Sequence, residues 1–163
     1  MTGSVVGGMM REQTHKNTKT GSLVRTMPLS HDEISRTARK RNPINHPTVV
    51  FRKNDIIASG NYGDYRFFED YELWARVILR EHHLANIDQI LVETETNTRF
   101  FARRRGLSYI HHEIRFARRL YETRFLSFRQ FILFMITRIP LRLVPTSIIE
   151  LFYRTSLRTT EST

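Results

Sequence analysis

The sequence predicts an α/β protein, because short apolar runs typical of strands alternate with segments of helical periodicity. The run Ser4–Met10 is apolar and interrupted by glycines, and Thr48–Phe51 is rich in β-branched residues, which suits a buried strand. From Phe68 to Arg80 the apolar residues recur at helical spacing, which predicts a helix with one face against a core. A chain of 163 residues can form one domain that buries roughly 70% of its unfolded surface.

A loop and a helix are predicted in the N-terminal quarter of the chain. Residues 13–26 are mostly polar, so we expect a loop there. Ser30 and Glu33 stand in the S-x-x-E spacing of a capping box. This spacing predicts the start of a short helix that runs to about Arg39.

The middle of the chain adds a short helix, a glycine loop and two strands. Residues 53–58 are predicted to form a helix that ends at Gly60, and Gly60 together with Gly63 marks a loop. Two short strands are predicted at Leu84–Ile87 and Ile90–Glu95. This alternation of elements supports the α/β class.

The last third of the chain is predicted to be helical. A basic amphipathic helix is expected at Tyr109–Glu122, and the apolar residues on one side of it are Ile110, Ile114, Ala117 and Tyr121. The segment Ser127–Ile139 is apolar over much of its circumference. We expect Pro140 and Pro145 to break it from a final helix near Ser147–Tyr153.

The apolar run Phe131–Ile136 is too short to span a bilayer. It fits an in-plane interfacial helix with arginines at the headgroups, and it equally fits ordinary packing onto the domain. We therefore divide the chain into a domain at residues 1–126 and a C-terminal helical segment at 127–163 that associates with a membrane or packs on that domain.

The charge of the chain favours an anionic partner. Lys and Arg number 26 against 16 Asp and Glu, which gives a net charge of +10. Nucleic acid, anionic lipid and a nucleotide diphosphate all qualify, and a solvated basic face is the plain alternative. The absence of cysteine excludes disulfides and cysteine-based zinc sites. The adjacent pairs His82-His83 and His111-His112 lack the spacing of zinc ligands.

The N-terminal sequence MTGSVVGGMMREQ has neither the basic start nor the sustained apolar stretch of a signal peptide. We therefore expect a cytoplasmic location. Peripheral attachment to the inner face of the cell membrane is the alternative.

Two motifs carry a resemblance to a known family. Arg41–Lys53 reads RNPINHPTVVFRK and Phe68–Trp74 reads FEDYELW, with a glycine turn between them. Their order and spacing resemble the second half of family 2 glycosyltransferases, in which an N-H-P-T-V-x-F-R-K strand precedes an E-D-Y-D/E-L-W helix. Arg103–Gly106 and Arg138–Pro145 also resemble the tail of the branch that assembles exopolysaccharide and capsule. The resemblance runs from about Val5 to Arg158.

This resemblance implies a fold and an activity. The fold would be the C-terminal half of a GT-A type mixed sheet with flanking helices, followed by C-terminal amphipathic helices. The activity would be inverting transfer of a hexose from a nucleotide-sugar donor to a lipid-linked saccharide in bacterial surface polysaccharide biosynthesis. Such an enzyme needs a general base for the acceptor hydroxyl, and the family motif implies Asp70 in that role. A purely structural role for an acidic residue in a first helical turn is the alternative.

The other site residues implied by the resemblance lie near Asp70 or in the basic C-terminal part. The family motif places Asn45, His46 and Glu69 in the cleft near the donor sugar or the acceptor, although a structural histidine between two prolines fits as well. Trp74 could stack on a sugar ring, but its helical spacing also suits the core. Contact with the donor diphosphate or with acidic lipid, or simple exposure to solvent, is expected for Arg103, Arg104 and Arg105.

One feature of the family is absent from the sequence. Family 2 enzymes bind the nucleotide sugar through a D-x-D motif that holds Mg²⁺ or Mn²⁺, and no D-x-D occurs here. We therefore expect the nucleotide- and metal-binding half to be missing, through truncation or through division between two chains, and the isolated chain to be inactive. A basic nucleic-acid-binding module and a non-catalytic remnant or partner subunit of a glycosyltransferase are the alternatives.

Overall fold

The computed structural model describes residues 3–16, 19–95, 106–143 and 159–160. Within these ranges the chain has a five-stranded sheet, five α-helices and a 3-10 turn at His46–Thr48. The strands are β1 (Val5–Lys16), β2 (Lys19–Arg25), β3 (Val50–Phe51), β4 (Leu84–Glu95) and β5 (Thr159–Thr160). The helices are α1 (His31–Thr37), α2 (Lys53–Ala58), α3 (Glu69–Leu79), α4 (Gly106–Glu122) and α5 (Phe128–Leu143). The predicted α/β class is confirmed, and the GT-A type remains a prediction.

The sheet is mixed and is organised around β1. Strand β4 pairs with β1 in parallel, whereas β3 and the longer β2 pair with β1 antiparallel, and β5 pairs with β2. A parallel neighbour requires a long crossover, and the segment between β1 and β4 supplies it through β2, α1, β3, α2 and α3. The site described below lies on this crossover.

The two strands predicted at Leu84–Ile87 and Ile90–Glu95 are one strand, β4, with an irregular register. Gly8 of β1 pairs with Ile87, and the next residue of β1 pairs with Ile90, so two residues of β4 bulge out between them. A Cβ on Gly8 would stand 2.6 Å from a methyl carbon of Leu91, so glycine permits this close approach.

The loop predicted at residues 13–26 is wrong. Residues up to Lys16 continue β1, and Lys19–Arg25 forms β2, so the two strands make a long hairpin. Ladder hydrogen bonds join backbone groups, and the polar composition of the segment therefore did not prevent pairing.

Two further sequence predictions need correction. Thr48–Phe51 was predicted as a buried strand, but Thr48 ends a 3-10 turn and only Val50–Phe51 pairs with β1, with both side chains exposed. Pro140 was expected to end the preceding helix, but α5 continues through it to Leu143. A proline removes a single backbone donor, and the packing of the rest of α5 on α4 outweighs that loss. The helix predicted near Ser147–Tyr153 lies outside the described residues.

The predicted helix signals are confirmed where they depend on local chemistry. The Ser30 hydroxyl accepts from the Glu33 backbone N–H, and the Glu33 carboxylate accepts from the Ser30 backbone N–H, which is a complete capping box. Helix α2 ends at Ala58 and is followed by Gly60 with φ of +88°. Helix α3 occupies most of the predicted span.

Helix α3 lies between two groups of buried side chains. One face of α3 packs with β1 and α1 in a core that contains Val5, Ile34, Ile44, Leu73, Trp74 and Val77. Its other face packs with α4 and α5 in a core that contains Phe68, Tyr71, Ala75, Phe116, Leu120 and Phe134. Because both cores share α3, the position of its first turn is fixed from both sides.

The face of α4 that packs inward differs from the predicted one. The sequence row Ile110, Ile114, Ala117 and Tyr121 was predicted as the apolar side, yet Ile114 and Tyr121 are exposed. The buried row consists of Tyr109, Glu113, Phe116, Ala117 and Leu120. Because one member of the buried row is a glutamate, the hydropathy pattern does not indicate that this row packs inward.

Glu113 joins α4 to α5 through a buried ion cluster. Its carboxylate has no exposed surface and accepts from Arg138 Nε at 2.6 Å and from Arg142 Nε at 2.7 Å. Burial by itself raises the pKa of Glu113, but hydrogen bonds from Arg142 and the positive charges of both arginines outweigh it and hold that pKa below its ordinary value.

In the described ranges no helix is long and apolar enough to cross a membrane.

Candidate functional site

The first turn of α3 presents an acidic group at the surface of the crossover. Glu69 is exposed, Asp70 is half-buried, and Glu72 is buried. Acidic side chains in a first turn interact favourably with the positive end of the helix dipole, so this helix start is stabilised by the same residues that make the site. The Tyr71 hydroxyl donates to Ala38 O at 2.7 Å and anchors the turn to the end of α1. Burial raises the pKa of Tyr71 far above its ordinary value, which keeps it protonated as a donor.

Asp70 is held by an asparagine that the sequence had not suggested. Asn42 Nδ2 donates to Asp70 Oδ2 at 2.7 Å, and the Tyr71 backbone N–H donates to Asp70 Oδ1 at 2.8 Å. The Asn42 amide is itself oriented, because its Oδ1 accepts from the Ile44 backbone N–H at 3.3 Å. Each carboxylate oxygen can accept a second hydrogen bond, so Asp70 is positioned without being saturated.

The signal that could have indicated Asn42 was present in the sequence. Asn42 precedes Pro43, and an asparagine before proline favours a turn in which the side chain bonds the backbone two residues on. That pattern predicts the bond to Ile44. It does not indicate Asp70, which lies 28 positions further along the chain.

Tyr62 contacts His46 and lies within electrostatic range of Asp70. The His46 ring is exposed and makes an edge contact with the Tyr62 ring at 5.8 Å between centroids. Partial burial raises the pKa of Tyr62, and the negative charge of Asp70 raises it further. Tyr62 is 41% exposed and was also not identified from the sequence. We call Asp70, Tyr62 and His46 the polar cluster, in which Tyr62 contacts His46 and lies within electrostatic range of Asp70.

Asn45 lies behind this cluster and holds the backbone of the sheet. It is 1% exposed, and its Nδ2 donates to Gly8 O at 2.9 Å and to Arg25 O at 3.2 Å. Thr48 binds the same residue of β1, since its hydroxyl oxygen accepts a hydrogen bond from the Gly8 backbone N–H at 2.9 Å. The N-H-P-T motif therefore fastens the irregular part of β1. Because Asn45 is buried, its side chain offers no surface to a ligand in an open cleft.

Trp74 is also placed away from the surface. Its side chain has no exposed area and lies in the core shared with Val5 and Ile34, 6.1 Å from the His46 ring. A fully covered indole offers no face to a sugar ring, so the core alternative for Trp74 fits this structure. Arg103, Arg104 and Arg105 lie outside the described residues.

Glu72 and Arg76 fix the glycine loop that borders the site. The Glu72 carboxylate accepts from Arg76 Nε at 2.8 Å and from Arg119 Nε at 3.3 Å, and it is 2% exposed. The Arg76 guanidinium in turn donates to the carbonyl oxygens of Ser59 and Asn61. This network orders the loop that precedes Tyr62.

The described residues contain no group of three or more histidine, cysteine or acidic side chains that could hold a metal ion. The divalent cation implied by the resemblance thus has no ligand set in the described part of the chain. No chemical step proposed here depends on it.

The fold and the site define a mixed α/β protein with an oriented carboxylate at a helix start, suited to acid–base chemistry on a bound hydroxyl. Asp70 is accessible and fixed in orientation, and Tyr62, which contacts His46, lies within electrostatic range of it. The roles of Asp70 and His46 stay predictions.

Comparison with known proteins relates the chain to glycosyltransferases. It is 32% identical over 130 residues to the amylovoran biosynthesis glycosyltransferase AmsE of Erwinia amylovora, covering 80% of this chain and 49% of that protein. It is 34% identical over 136 residues to the UDP-Gal:alpha-D-GlcNAc-diphosphoundecaprenol beta-1,3-galactosyltransferase of Escherichia coli, covering 83% and 49%. It is 31% identical over 155 residues to an uncharacterized glycosyltransferase of Haemophilus influenzae, covering 95% and 57%.

The chain spans about half the length of the curated relatives it matches. No family model matches the sequence. No solved structure matches it either. The names of the relatives support a glycosyltransferase in polysaccharide biosynthesis, whereas family 2 membership and the GT-A fold remain predictions.

Proposed function

We propose that this chain is the acceptor-side part of an inverting, nucleotide-sugar-dependent glycosyltransferase of family 2, with a GT-A type fold, that builds a bacterial surface polysaccharide. The proposal is supported by three relatives named as glycosyltransferases, with identities of 31–34%. One of them is named for amylovoran, and another for transfer to a diphosphoundecaprenol-linked sugar. The reaction class is hexosyl transfer.

The observation that carries the proposal is the oriented carboxylate of Asp70. In inverting transfer the acceptor oxygen attacks the anomeric carbon while a base removes its proton, so the base must be fixed within hydrogen-bond reach of that hydroxyl. Asn42 and the Tyr71 N–H fix both oxygens of Asp70 and leave it accessible. In this proposal Asp70 is the general base, and Tyr62 and His46 bind the acceptor beside it.

The names of the relatives and the charge of the chain support the substrates that we propose. The donor is a nucleotide diphosphate sugar, and the acceptor is a saccharide on a lipid diphosphate. Glu69 lies at the edge of the cluster as a further sugar contact, and Arg103 to Arg105 contact a phosphate or acidic lipid. The divalent cation would be bound outside the described residues, and the location would be the inner face of the cell membrane.

A chimeric enzyme tests this function. This chain replaces the matching part of the Escherichia coli galactosyltransferase, and transfer of labelled galactose from UDP-galactose to the diphosphate-linked acceptor is measured. Asp70→Asn should abolish transfer because the base is lost, and it should lower the melting temperature only slightly, since it loses one accepted hydrogen bond and the favourable charge at the helix start. Asp64→Asn is the matched control, since this aspartate is 96% exposed in the neighbouring loop. Transfer that survives Asp70→Asn would refute the proposed base.

A further inference from the structure

The helical hairpin formed by α4 and α5 exposes apolar side chains that lie outside its buried row. On α4 three exposed apolar positions are spaced by seven residues, and on α5 three of the exposed apolar positions are spaced by four, so each set forms one stripe along its helix. We call the two stripes together the hairpin patch. It consists of Leu107, Ile114, Tyr121, Phe128, Ile132 and Ile136.

The two stripes face the same side of the hairpin. The Tyr121 ring of α4 lies 6.2 Å from the Phe128 ring and 5.4 Å from the Phe131 ring of α5, so the stripes meet at the turn. Leu107 is 80% exposed at the start of α4, and Ile136 is 65% exposed on α5. Exposed apolar side chains that are aligned along two adjoining helices indicate an interaction surface, whereas single scattered ones do not.

The buried ion cluster keeps this surface in one arrangement. Glu113 binds both Arg138 and Arg142, and the Arg138 guanidinium lies 4.5 Å above the Phe134 ring on the inward side of α5. These contacts fix the rotation of α5 about its axis relative to α4. The hairpin patch is therefore preformed.

The charges around the patch identify the kind of partner. Residues 106–143 contain seven arginines and two glutamates. Glu113 is buried with two of these arginines, and Glu122 forms an ion pair with Arg118 at 2.6 Å. Arg124 and Arg129 are exposed at the turn beside Phe128. A second copy of the chain would bring like charges together, whereas an anionic lipid surface would complement them.

We propose that the hairpin patch lies on an anionic bilayer surface, with its apolar stripes at the headgroup–acyl boundary and Arg124 and Arg129 against lipid phosphates. It deepens the proposed function, since a lipid-linked acceptor is found at such a surface. It also moves the contact from α5 alone to both helices, because Leu107, Ile114 and Tyr121 of α4 belong to the same surface.

Vesicle flotation tests the proposal without any sugar donor. The whole chain is mixed with vesicles of equal parts phosphatidylcholine and phosphatidylglycerol, and in parallel with pure phosphatidylcholine vesicles. We expect binding to the anionic vesicles that weakens as salt is added. Ile132→Gln with Ile136→Gln should lower the partition constant by about a hundredfold, roughly tenfold for each isoleucine. Arg129→Gln should lower it by about fivefold on anionic vesicles only.

Ile57→Gln is the matched control. Ile57 is 56% exposed on α2 and lies outside the patch, so its replacement should leave vesicle binding unchanged. Circular dichroism and thermal melting establish that each variant is folded. Leu107→Gln provides a second patch variant at a position so exposed that folding should not be affected.

The proposal is overturned if the folded wild type does not bind anionic vesicles, or if it binds neutral vesicles equally well. It is also overturned if the patch variants bind as tightly as the wild type. A wild-type dimer that the isoleucine variant converts to a monomer would assign the patch to a second copy instead. Because the assay needs no transfer, an inactive chimera would count against the enzyme proposal alone.

Discussion

Replacing Glu113 with glutamine tests whether the two C-terminal helices are held together by a buried ion cluster. The carboxylate accepts three hydrogen bonds, from Arg138 Nε at 2.6 Å and from Arg142 Nε and Nη2 at 2.7 and 3.0 Å. The amide of the variant keeps one acceptor oxygen but carries no charge, so two guanidinium groups lose their counter-ion. Breaking a buried pair in this way costs about 3–5 kcal/mol.

The matched control is Glu122→Gln on the same helix. Glu122 also pairs with an arginine at 2.6 Å, but its side chain is 50% exposed. An exposed pair four residues apart contributes only about 0.3–0.5 kcal/mol. Urea denaturation followed by circular dichroism gives both free energies of unfolding, and the two variants should differ by at least about 2 kcal/mol.

The pH dependence of this difference gives a second measurement. The folded-state pKa of Glu113 is held below its ordinary value of 4.5, so the unfolded chain takes up a proton on this group first as the pH falls. The stabilisation by Glu113 is therefore complete above about pH 4.5 and is lost as the pH falls through the folded-state pKa. The difference in free energy of unfolding between the wild type and Glu113→Gln should stay constant from neutral pH to about pH 5 and become smaller below that. Equal losses of stability in Glu113→Gln and Glu122→Gln would refute the reasoning. A difference in free energy of unfolding between the wild type and Glu113→Gln that does not change with pH would refute it as well.

Two further substitutions test the parts of the fold that surround the site. Asn45→Ala removes the donors to Gly8 O and Arg25 O, and it should lower the free energy of unfolding by about 1–3 kcal/mol; a loss of transfer activity in the chimera at unchanged stability would instead favour a cleft role. Gly60→Ala should cost about 1–2 kcal/mol in thermal or urea unfolding, because φ is +88° there, and an added Cβ would also stand 2.8 Å from Arg76 Nη1. Gly106 has a similar φ of +82°, and no atom of the described residues lies within 4 Å of a Cβ added there, so a smaller loss of stability for Gly106→Ala than for Gly60→Ala isolates the Arg76 contact.

The local elements of this protein could be predicted from its sequence. The capping box at Ser30 and Glu33, the end of α2 before Gly60 and the amphipathic α3 all depend on residues within a turn or two of one another. All the residues that form these signals lie within a short stretch of chain, so the sequence shows them directly. The position of Asp70 in the first turn of α3 was predictable for the same reason.

The helices at the C-terminus show where local pattern was insufficient. Hydropathy favoured the row with Ile114 and Tyr121 as the inward face of α4, but the structure exposes both and buries Glu113. A glutamate belongs in a core only when its counter-ions are present, and these come from α5 about 25 positions later. The continuation of α5 through Pro140 depends on the same long-range packing.

The candidate site divides in the same way. The sequence determined its chemistry, an aspartate beside a glutamate at a helix start and an asparagine–histidine pair before a strand. Only the tertiary structure decided that Asn42 and Tyr62 accompany Asp70, that Asn45 clamps β1, and that Trp74 is covered. Contacts between residues far apart in the chain depend on how the crossover folds over β1, and no local preference specifies that arrangement.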